Sequence, residues 1–551
     1  MLYNTITKVN ISIIIVFVLL SSSITLYNLV NAQESNETNQ TSGYANQIKA
    51  KTGNISPSPP EALTESTSPP RPSEEQLEFA KEIINETHRY PEEFIRVTPP
   101  TETVTIPSEP NEPTDVQVSP PALNSNSIMN NSLLQDKTSK SIQLFRETAS
   151  LQLFKDKILT PNPTSTVNEP AVSNNGQVIF LTGNWYTSRS VNDGDSWTYL
   201  NPFNQFPSSP GSGFCCDENT LYDEKNGIFV WLRQGSPDSN GQNIDRLSVS
   251  NNGISWVHFD LTAQDFGAPT NTWLDYNQLS SSNKYLYITN NVFDGQENYV
   301  MTVLARISLE QLAQGTPLTF EYISETDEFN FAPVQGATDT MYAAVHHSNS
   351  EMKIYKWPDA SSSAQTFLRN IPAWTYGFSD PSNVMNCLTP DGTNACERAD
   401  SRILGGSVAD GNVTFLWNAR QDNTYPYPYV NVVTFKETGL TYIDNSPIWN
   451  PNFAYIYGDM APNQNGDLGI ITMYGGGSFY PSIALGFKMN NVMTYDLFSV
   501  SQGNAANSRM GDYLTIAPDS GQGPTFRAAG YILNGCNNGD CVEPHYYSFG
   551  N

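Results

Sequence analysis

Seven times from about residue 169 onward, the chain repeats a pair of short apolar strands. The first members begin near Glu169, Asp217, Trp273, Phe331, Ser401, Ile456 and Gly511, roughly 50 to 70 residues apart. Each is followed by a second run: QVIFLTG, GIFVWLRQ, KYLYITNNV, TMYAAVHH, NVTFLWNAR, LGIITMYG and TFRAAGYIL. A unit of this size cannot bury both faces of its own sheet, so the units must stack against one another. With about four strands per unit, the pattern predicts an all-β fold, a β-propeller of seven blades. Six and eight blades also fit the spacing. A closing strand at Ser141–Phe145 or Leu151–Phe154 is expected to complete the last blade near Tyr546–Phe549. Composition agrees: only 15% of residues are charged and 11% are aromatic, which suits short strands and turns better than helices.

Two turns carry a second signal. Ser190–Trp197 reads Ser-Val-Asn-Asp-Gly-Asp-Ser-Trp, and Val249–Trp256 reads Val-Ser-Asn-Asn-Gly-Ile-Ser-Trp. Asn and Gly tolerate the positive φ of a tight hairpin, and an Asn side chain can hydrogen-bond nearby amides. The following Trp can pack beneath the turn. These units resemble the Asp-boxes of sialidase-like β-propellers, Ser-x-Asp-x-Gly-x-Thr-Trp, over about residues 165–551. They depart from that pattern at Asn192 and Asn251 (usually Asp), at Ser196 and Ser255 (usually Thr), and at Val249 (usually Ser). The resemblance implies hairpins between the third and fourth strands of blades one and two. It speaks for architecture and not for chemistry. Active sialidases use an arginine triad, a Tyr–Glu nucleophile pair and an Asp acid, with a Phe/Tyr-Arg-Ile-Pro motif. The nearest strings here, Phe94-Ile95-Arg96-Val97 and Ser401-Arg402-Ile403-Leu404, lack the Pro. No catalytic residue of that family is carried over, and no sialidase activity is expected.

Residues 1–32 read as an export signal: Lys8, the apolar run Ile11–Leu20 and a small-residue cleavage site at Val30-Asn31-Ala32. Membrane contact is expected only if this segment stays uncleaved as an anchor. Residues 33–140 are rich in Pro, Ser, Thr, Asn and Glu, which predicts a disordered stalk. Sequons at Asn36, Asn39, Asn54, Asn85 and Asn130 would allow glycosylation. A capping box at Ser73-Glu74-Glu75-Gln76, followed by Leu77, Ala80 and Ile84, predicts one helix over about 73–90. The domain from 141 to 551 is then the propeller, exported to the cell surface or beyond and expected to act as a monomer. A net charge of −27 excludes a nucleic-acid partner, because phosphate binding needs a basic face.

The six cysteines fit an oxidising compartment. Cys387 and Cys396 bracket one turn-rich loop, Cys536 and Cys541 another, and Cys215-Cys216 are adjacent. Local pairing gives three disulfides, one of them vicinal. Six cysteines allow 15 connectivities, and Cys215 and Cys216 read equally well as two buried thiols.

In a propeller the first strand of each blade lines the central channel. That rule gathers Asp217 and Glu218, Trp273 and Asp275, Asp400 and Arg402, Tyr457 and Asp459, and Arg509 and Asp512. Arg forks hold carboxylates, and paired carboxyls cleave glycosidic bonds. Asp400, Asp459 and Asp512 are the candidate catalytic residues; Asp217, Trp273, Asp275, Arg402, Tyr457 and Arg509 are the candidate ligand-binding ones. Each has a structural alternative in capping strands or pairing with a neighbour. Tyr425-Pro426-Tyr427-Pro428-Tyr429 and the loop Tyr474–Tyr480 could display rings to a sugar or protein, or pack between blades. No zinc spacing, nucleophile elbow or phosphate loop is present. No cofactor is expected, although Asp193-Gly194-Asp195 and Asn537-Asn538-Gly539-Asp540 carry hard oxygens suited to Ca²⁺. Two functions follow: a glycan- or protein-binding module, favoured by the missing family motif, and a carbohydrate-active hydrolase or lyase using channel carboxylates.

Overall fold

The computed structural model describes residues 46–71, 73, 110, 111, 113–115, 151–160, 164, 167–378, 382–488, 495–520, 523–535 and 542–550, apart from isolated gaps. Seven antiparallel sheets, each built around four strands in simple up-and-down order, follow one another along the chain. This is a seven-bladed β-propeller. Its innermost strands are Ala171–Asn174, Phe214–Asp223, Thr272–Ser281, Ala332–Pro333, Ile403–Ala409, Ala454–Pro462 and Thr515–Pro518. The seven predicted second strands are the observed ones. The long apolar runs suit them, because a second strand is covered on both faces by neighbouring blades: Ile228–Gly235 and Leu468–Gly476 are buried throughout.

Ring closure uses the N-terminal side of the domain. Gln152–Ile158 pairs antiparallel with Val542–Gly550 and becomes the outer strand of blade seven, so the later of the two expected closing segments is the one used. His545 sits at this seam, donating from Nδ1 to Asp156 on the closing strand at 2.7 Å and from Nε2 to Glu543 at 3.0 Å. Burial alone would lower the His545 pKa, but hydrogen bonds to the two carboxylates raise it above the usual value. A group whose folded pKa is raised stabilises fully below its unfolded value of about 6.5 and loses that contribution as pH climbs through the folded value. The melting temperature is therefore expected to fall with rising pH on the alkaline side of 6.5, and to fall less in His545→Gln. Equal slopes in a pH series of thermal melts would show that the seam does not titrate.

Both box hairpins lie between third and fourth strands of blades one and two. In the first, the Ser190 hydroxyl accepts from the Gly194 amide at 2.9 Å, and Asn192 Oδ1 accepts from the Ser196 amide at 3.0 Å. Asp193 and Gly194 hold positive φ. The second box works one residue out of the expected register. Ser250 and Asn252, not Val249 and Asn251, take the equivalent bonds: Ser250 Oγ accepts from Gly253 N, and Asn252 Oδ1 from Ser255 N, each at 2.9 Å. Its turn is tighter by one residue, which moves the working pair towards the Gly.

The stalk expectation is corrected over its described part. Asn46–Lys49 adds a fifth strand to blade four, Lys51–Ile55 to blade three and Glu61–Ala62 to blade two, and Ser66 bridges to Tyr199 of blade one. Thr114–Asp115 pairs in parallel with the outer strand of blade six. The segment thus runs as a belt along the outer edges of blades four, three, two and one. Low apolar content does not prevent this, since edge pairing is a backbone property that blunts exposed sheet edges. Two apolar residues anchor it, Ile55 and Leu63, both buried. The export signal, the helix over 73–90, the Cys536/Cys541 pair and the turn 537–540 lie outside the described residues. Among the described residues no helix is long and apolar enough to cross a membrane.

Candidate functional site

Every innermost strand begins on the same face of the ring, here called the front. Most of the loops that enter the inner strands there are long. The widest, between blades four and five, runs from Ile371 to Arg402 and is stapled by Cys387–Cys396. On the back, turns such as the two boxes are tight. A face that carries the longest connections is where a propeller builds a site.

At that end the inner strands of blades two, three and six are irregular. Ladders break between Phe214 and Glu218, Asp275 and Gln278, and Ile456 and Asp459. Within the last two bulges Tyr276 and Tyr457 hold positive φ of 52° and 55°. Left-handed backbone is unfavourable for bulky residues, by about 1–3 kcal/mol each, and marks places where side chains are re-aimed. The vicinal disulfide Cys215–Cys216 forms in the first bulge, directly before Asp217.

The bulges turn carboxyls and tyrosines into one cluster. Glu169 precedes the inner strand of blade one and is almost wholly buried; Asn184 donates to its Oε2 at 2.7 Å, and Arg509 lies 3.9 Å from its Oε1. Asp217 and Glu169 are neighbouring buried carboxyls that act on one another. Burial first, then the Glu169 and Asp275 charges, raise Asp217 well above the usual carboxyl range. Burial and the Asp512 charge raise Glu169 as well. Of the two, Asp217 is raised the more strongly. Two acids in contact in low dielectric cannot both ionise.

Asp512 is the carboxylate that most of this group feels. Its charge acts on Glu169, Asp217, Arg398, Arg402, Arg509, Tyr457 and Tyr531. The hydroxyls of Tyr457 and Tyr531 are buried without a hydrogen-bond partner among the described residues. Buried polar atoms normally find partners, so such orphans in a cluster are the atoms a ligand would satisfy.

The other expected residues divide. Asp400 is engaged by Arg402, whose Nε donates to its two oxygens at 2.9 and 2.8 Å and whose guanidinium lies 4.0 Å from the Tyr276 ring centre. Asp459 points into the channel behind the cluster. Burial pushes it up to about 7, while the Ile516 and Met460 amides it accepts pull it down. That channel holds a cavity of about 250 Å³ reached by all seven inner strands. Asp275 accepts from Gln234 at 2.9 Å. Trp273 belongs to the core: its ring packs on Phe293 and its indole N–H is donated to the Asp294 carbonyl. Glu218 points the other way along its strand and binds Thr187 and Trp231 between blades one and two.

Of the two uses open to the aromatic loops, packing is the one seen for most of their rings. Tyr425 and Tyr429 pack against each other with ring centres 4.1 Å apart and Tyr425 packs on Trp449, so these rings serve packing. Tyr474 is buried too, whereas Phe479 is exposed. The turn Asp193-Gly194-Asp195 is filled by protein cations, with Arg527 on Asp193 and Lys155 and Lys157 on Asp195 at 3.0 Å each. Among the described residues no three His, Cys, Asp or Glu side chains converge as a metal site.

Glu169, Arg398, Tyr276 and Tyr531 were not among the expected site residues. Glu169 precedes a strand by two residues. Arg398 comes from an insertion, for which no repeat supplies a register. Tyr276 depends on a bulge that strict alternation does not foresee.

No protein family matches the chain, and no curated protein matches it. Among solved structures it is similar to AofleA from Arthrobotrys oligospora, 10% identical over 64% of this chain and 90% of that one, with a TM-score of 0.34. It is also similar to the GH93 α-L-arabinofuranosidase of Fusarium graminearum in complex with arabinobiose, at 8% identity over 72% and 97% and a TM-score of 0.35. A third is the Trypanosoma rangeli sialidase in complex with the inhibitor DANA, at 12% identity, 58% and 53%, and 0.30. The chain spans about half the length of that sialidase.

Proposed function

We propose that this propeller is an extracellular carbohydrate-active hydrolase whose site is the carboxyl cluster on the front face. What carries this reading is the Glu169–Asp217 pair, two neighbouring buried carboxyls of which burial and the Glu169 charge raise Asp217 well above the usual range. Glycosidic cleavage needs one such acid to protonate the leaving oxygen and a second, ionised carboxylate on the other side of the sugar. Asp217 takes the first role and Asp512 the second. In the proposed step a water adds to the anomeric carbon as its proton passes to Asp512. The bond to the leaving oxygen breaks, and that oxygen receives the Asp217 proton. Arg509 holds Glu169 ionised, Arg402 is oriented by Asp400, and the tyrosine hydroxyls offer hydrogen bonds to sugar hydroxyls. The two disulfides support an oxidising compartment.

The test is incubation of the full chain with a panel of plant, microbial and animal polysaccharides, reading released fragments by mass spectrometry and retention by affinity electrophoresis. Release of fragments that is lost in Asp512→Asn supports the reading. Retention without release would instead support the binding module, for which the exposed Phe479 ring is the specific feature.

A further inference from the structure

Four front-face segments that the proposed reaction does not use meet over blades five and six. The second and third strands of blade six, Leu468–Gly476 and Phe479–Lys488, are joined by a glycine hairpin in which Gly476 and Gly477 hold positive φ of 90° and 61°. This hairpin leans on the disulfide-stapled loop. Gly477 N donates to the Leu388 carbonyl at 2.8 Å, and a Cβ on Gly476 would stand 3.2 Å from the Cys387 backbone. A Cβ on Gly477 would come within 3.3 Å of the Tyr427 hydroxyl, from the blade-five hairpin, and would collide with the carbonyl of Asn452, just ahead of the inner strand of blade six. Glycine is what lets the segments approach so closely.

Two large apolar side chains stand out of this surface, Leu388 at 50% and Phe479 at 38% exposed. Among the described residues the other exposed aromatic rings, Phe154 and Tyr442, lie on the outermost strands of blades seven and five. Phe479 is not loose. Its ring meets two buried rings edge-on, Phe453 at 5.2 Å and Tyr474 at 5.7 Å, and the Tyr474 hydroxyl is itself bonded to Ser499 Oγ at 2.7 Å. A ring held in one place loses little freedom when something stacks on it. Bare glycines precede it in the hairpin, and the exposed Ser478 and Asn452 and the half-buried Tyr427 supply polar groups around it.

We propose that Leu388, Tyr427 and Phe479 form a subsite for a neutral sugar ring, set apart from the carboxyl cluster on the same front face. So small a patch does not suit a protein partner, whose interface buries roughly 1,200–2,000 Å². A sugar ring needs one apolar platform and a few polar groups at its edge. The residues of the patch carry no charge, and a net charge of −27 repels polyanions, so the sugar is a neutral one. The patch is tied to the cluster through the chain. Cys396, bridged to Cys387, is followed two residues on by Arg398. Phe453, beneath the Phe479 ring, is followed four residues on by Tyr457, at most ~14 Å of backbone away. A single sugar does not span that distance, whereas a chain of them does. The substrate class is therefore a neutral polysaccharide long enough to engage both. That last step rests on the hydrolase reading; the subsite does not.

The full chain is run by affinity electrophoresis through gels holding hydroxyethylcellulose, xylan, galactomannan or arabinan, and is assayed for fragment release on the same four polymers. At least one polymer is expected to retard it. Phe479→Ala is expected to weaken that retardation at least about threefold. Phe479→Trp should preserve it, and Val191→Ala, an exposed apolar position in the first box turn, should leave it unchanged. Leu388→Ala is expected to act in the same direction as Phe479→Ala, which keeps the test alive if the latter does not fold. Where a polymer is cleaved, Phe479→Ala should raise KM at least about threefold with kcat within about twofold, because the ring holds substrate away from the reacting bond. Retardation that depends on Phe479 without any release would keep the subsite and remove the hydrolase. Release with an unaltered KM in Phe479→Ala, retardation that survives that change, or no retardation by any of the four polymers would each overturn the subsite.

Discussion

Replacing Asp217 with asparagine is expected to lower kcat for glycan cleavage by about 10²–10⁴-fold, the usual contribution of a positioned general acid. The change removes one proton and little volume. The new side-chain amide can still donate to Glu169, so the fold and the substrate KM should hold while turnover collapses. That split separates a catalytic role from a structural one, because a residue that only braces the cluster would move stability and KM as well. Glu169→Gln takes away the partner that keeps the Asp217 proton in place, and is expected to lower kcat and shift the alkaline limb of the pH profile downward. Asp459→Asn, whose parent side chain accepts two amides in the channel behind the cluster, should leave kcat within a fewfold.

The pH dependence has a definite sign. Asp217 acts protonated, and burial with the Glu169 charge raises it well above the usual range. Activity should therefore be lost as pH rises through that raised value. It should also be lost at low pH, where Glu169 takes a second proton and the pair becomes neutral. The two limbs belong to the pair and not to either residue singly. An Asp217→Asn variant that retains the wild-type rate would remove the acid assignment.

The blade count, the inner and second strands and the sites of both boxes were legible because a propeller repeats one period-two pattern seven times. Each error is cancelled by the next blade. The second box was read one residue early because its leading Ser falls at Ser250, where the aligned pattern demands position 249. The belt was not legible, since strands such as Glu61–Ala62 pair through backbone and carry almost no side-chain signal. Of the site, Asp217 and Asp275 follow from the rule that inner strands line the channel, whereas Arg509 and Asp512 lie just ahead of the inner strand of blade seven, Thr515–Pro518. Trp273 and Glu218 broke the rule: Trp273 packs on Phe293 in the core, and Glu218, at the end of the Phe214/Glu218 bulge, turns between blades one and two. A one-residue slip reverses every side chain beyond it.

The largest stability change is expected at the second box. Trp256 is 0% exposed, with its ring 5.2 Å from both Phe180 of blade one and Trp231 of blade two. Leu63 of the belt belongs to the same buried cluster. One indole therefore joins the box, two blades and the belt, and among the described residues its N–H makes no hydrogen bond that truncation would break. Trp256→Ala is expected to cost about 3–5 kcal/mol from lost burial and the cavity left between close-packed sheets. The first box offers an internal comparison. Trp197 is only partly buried and meets Tyr546 edge-on at 5.7 Å. Trp197→Ala should cost about 1–2 kcal/mol, little more than an aromatic pair with modest burial supplies. Because Leu63 and Trp256 share one cluster, Leu63→Ala in the Trp256→Ala background should cost less than it does alone. Urea unfolding of the parent protein, the three single variants and the double variant measures all three quantities. Equal losses at the two boxes would mean that the hairpins stabilise through their turns alone, and that the belt is held by its backbone pairing without the tryptophan.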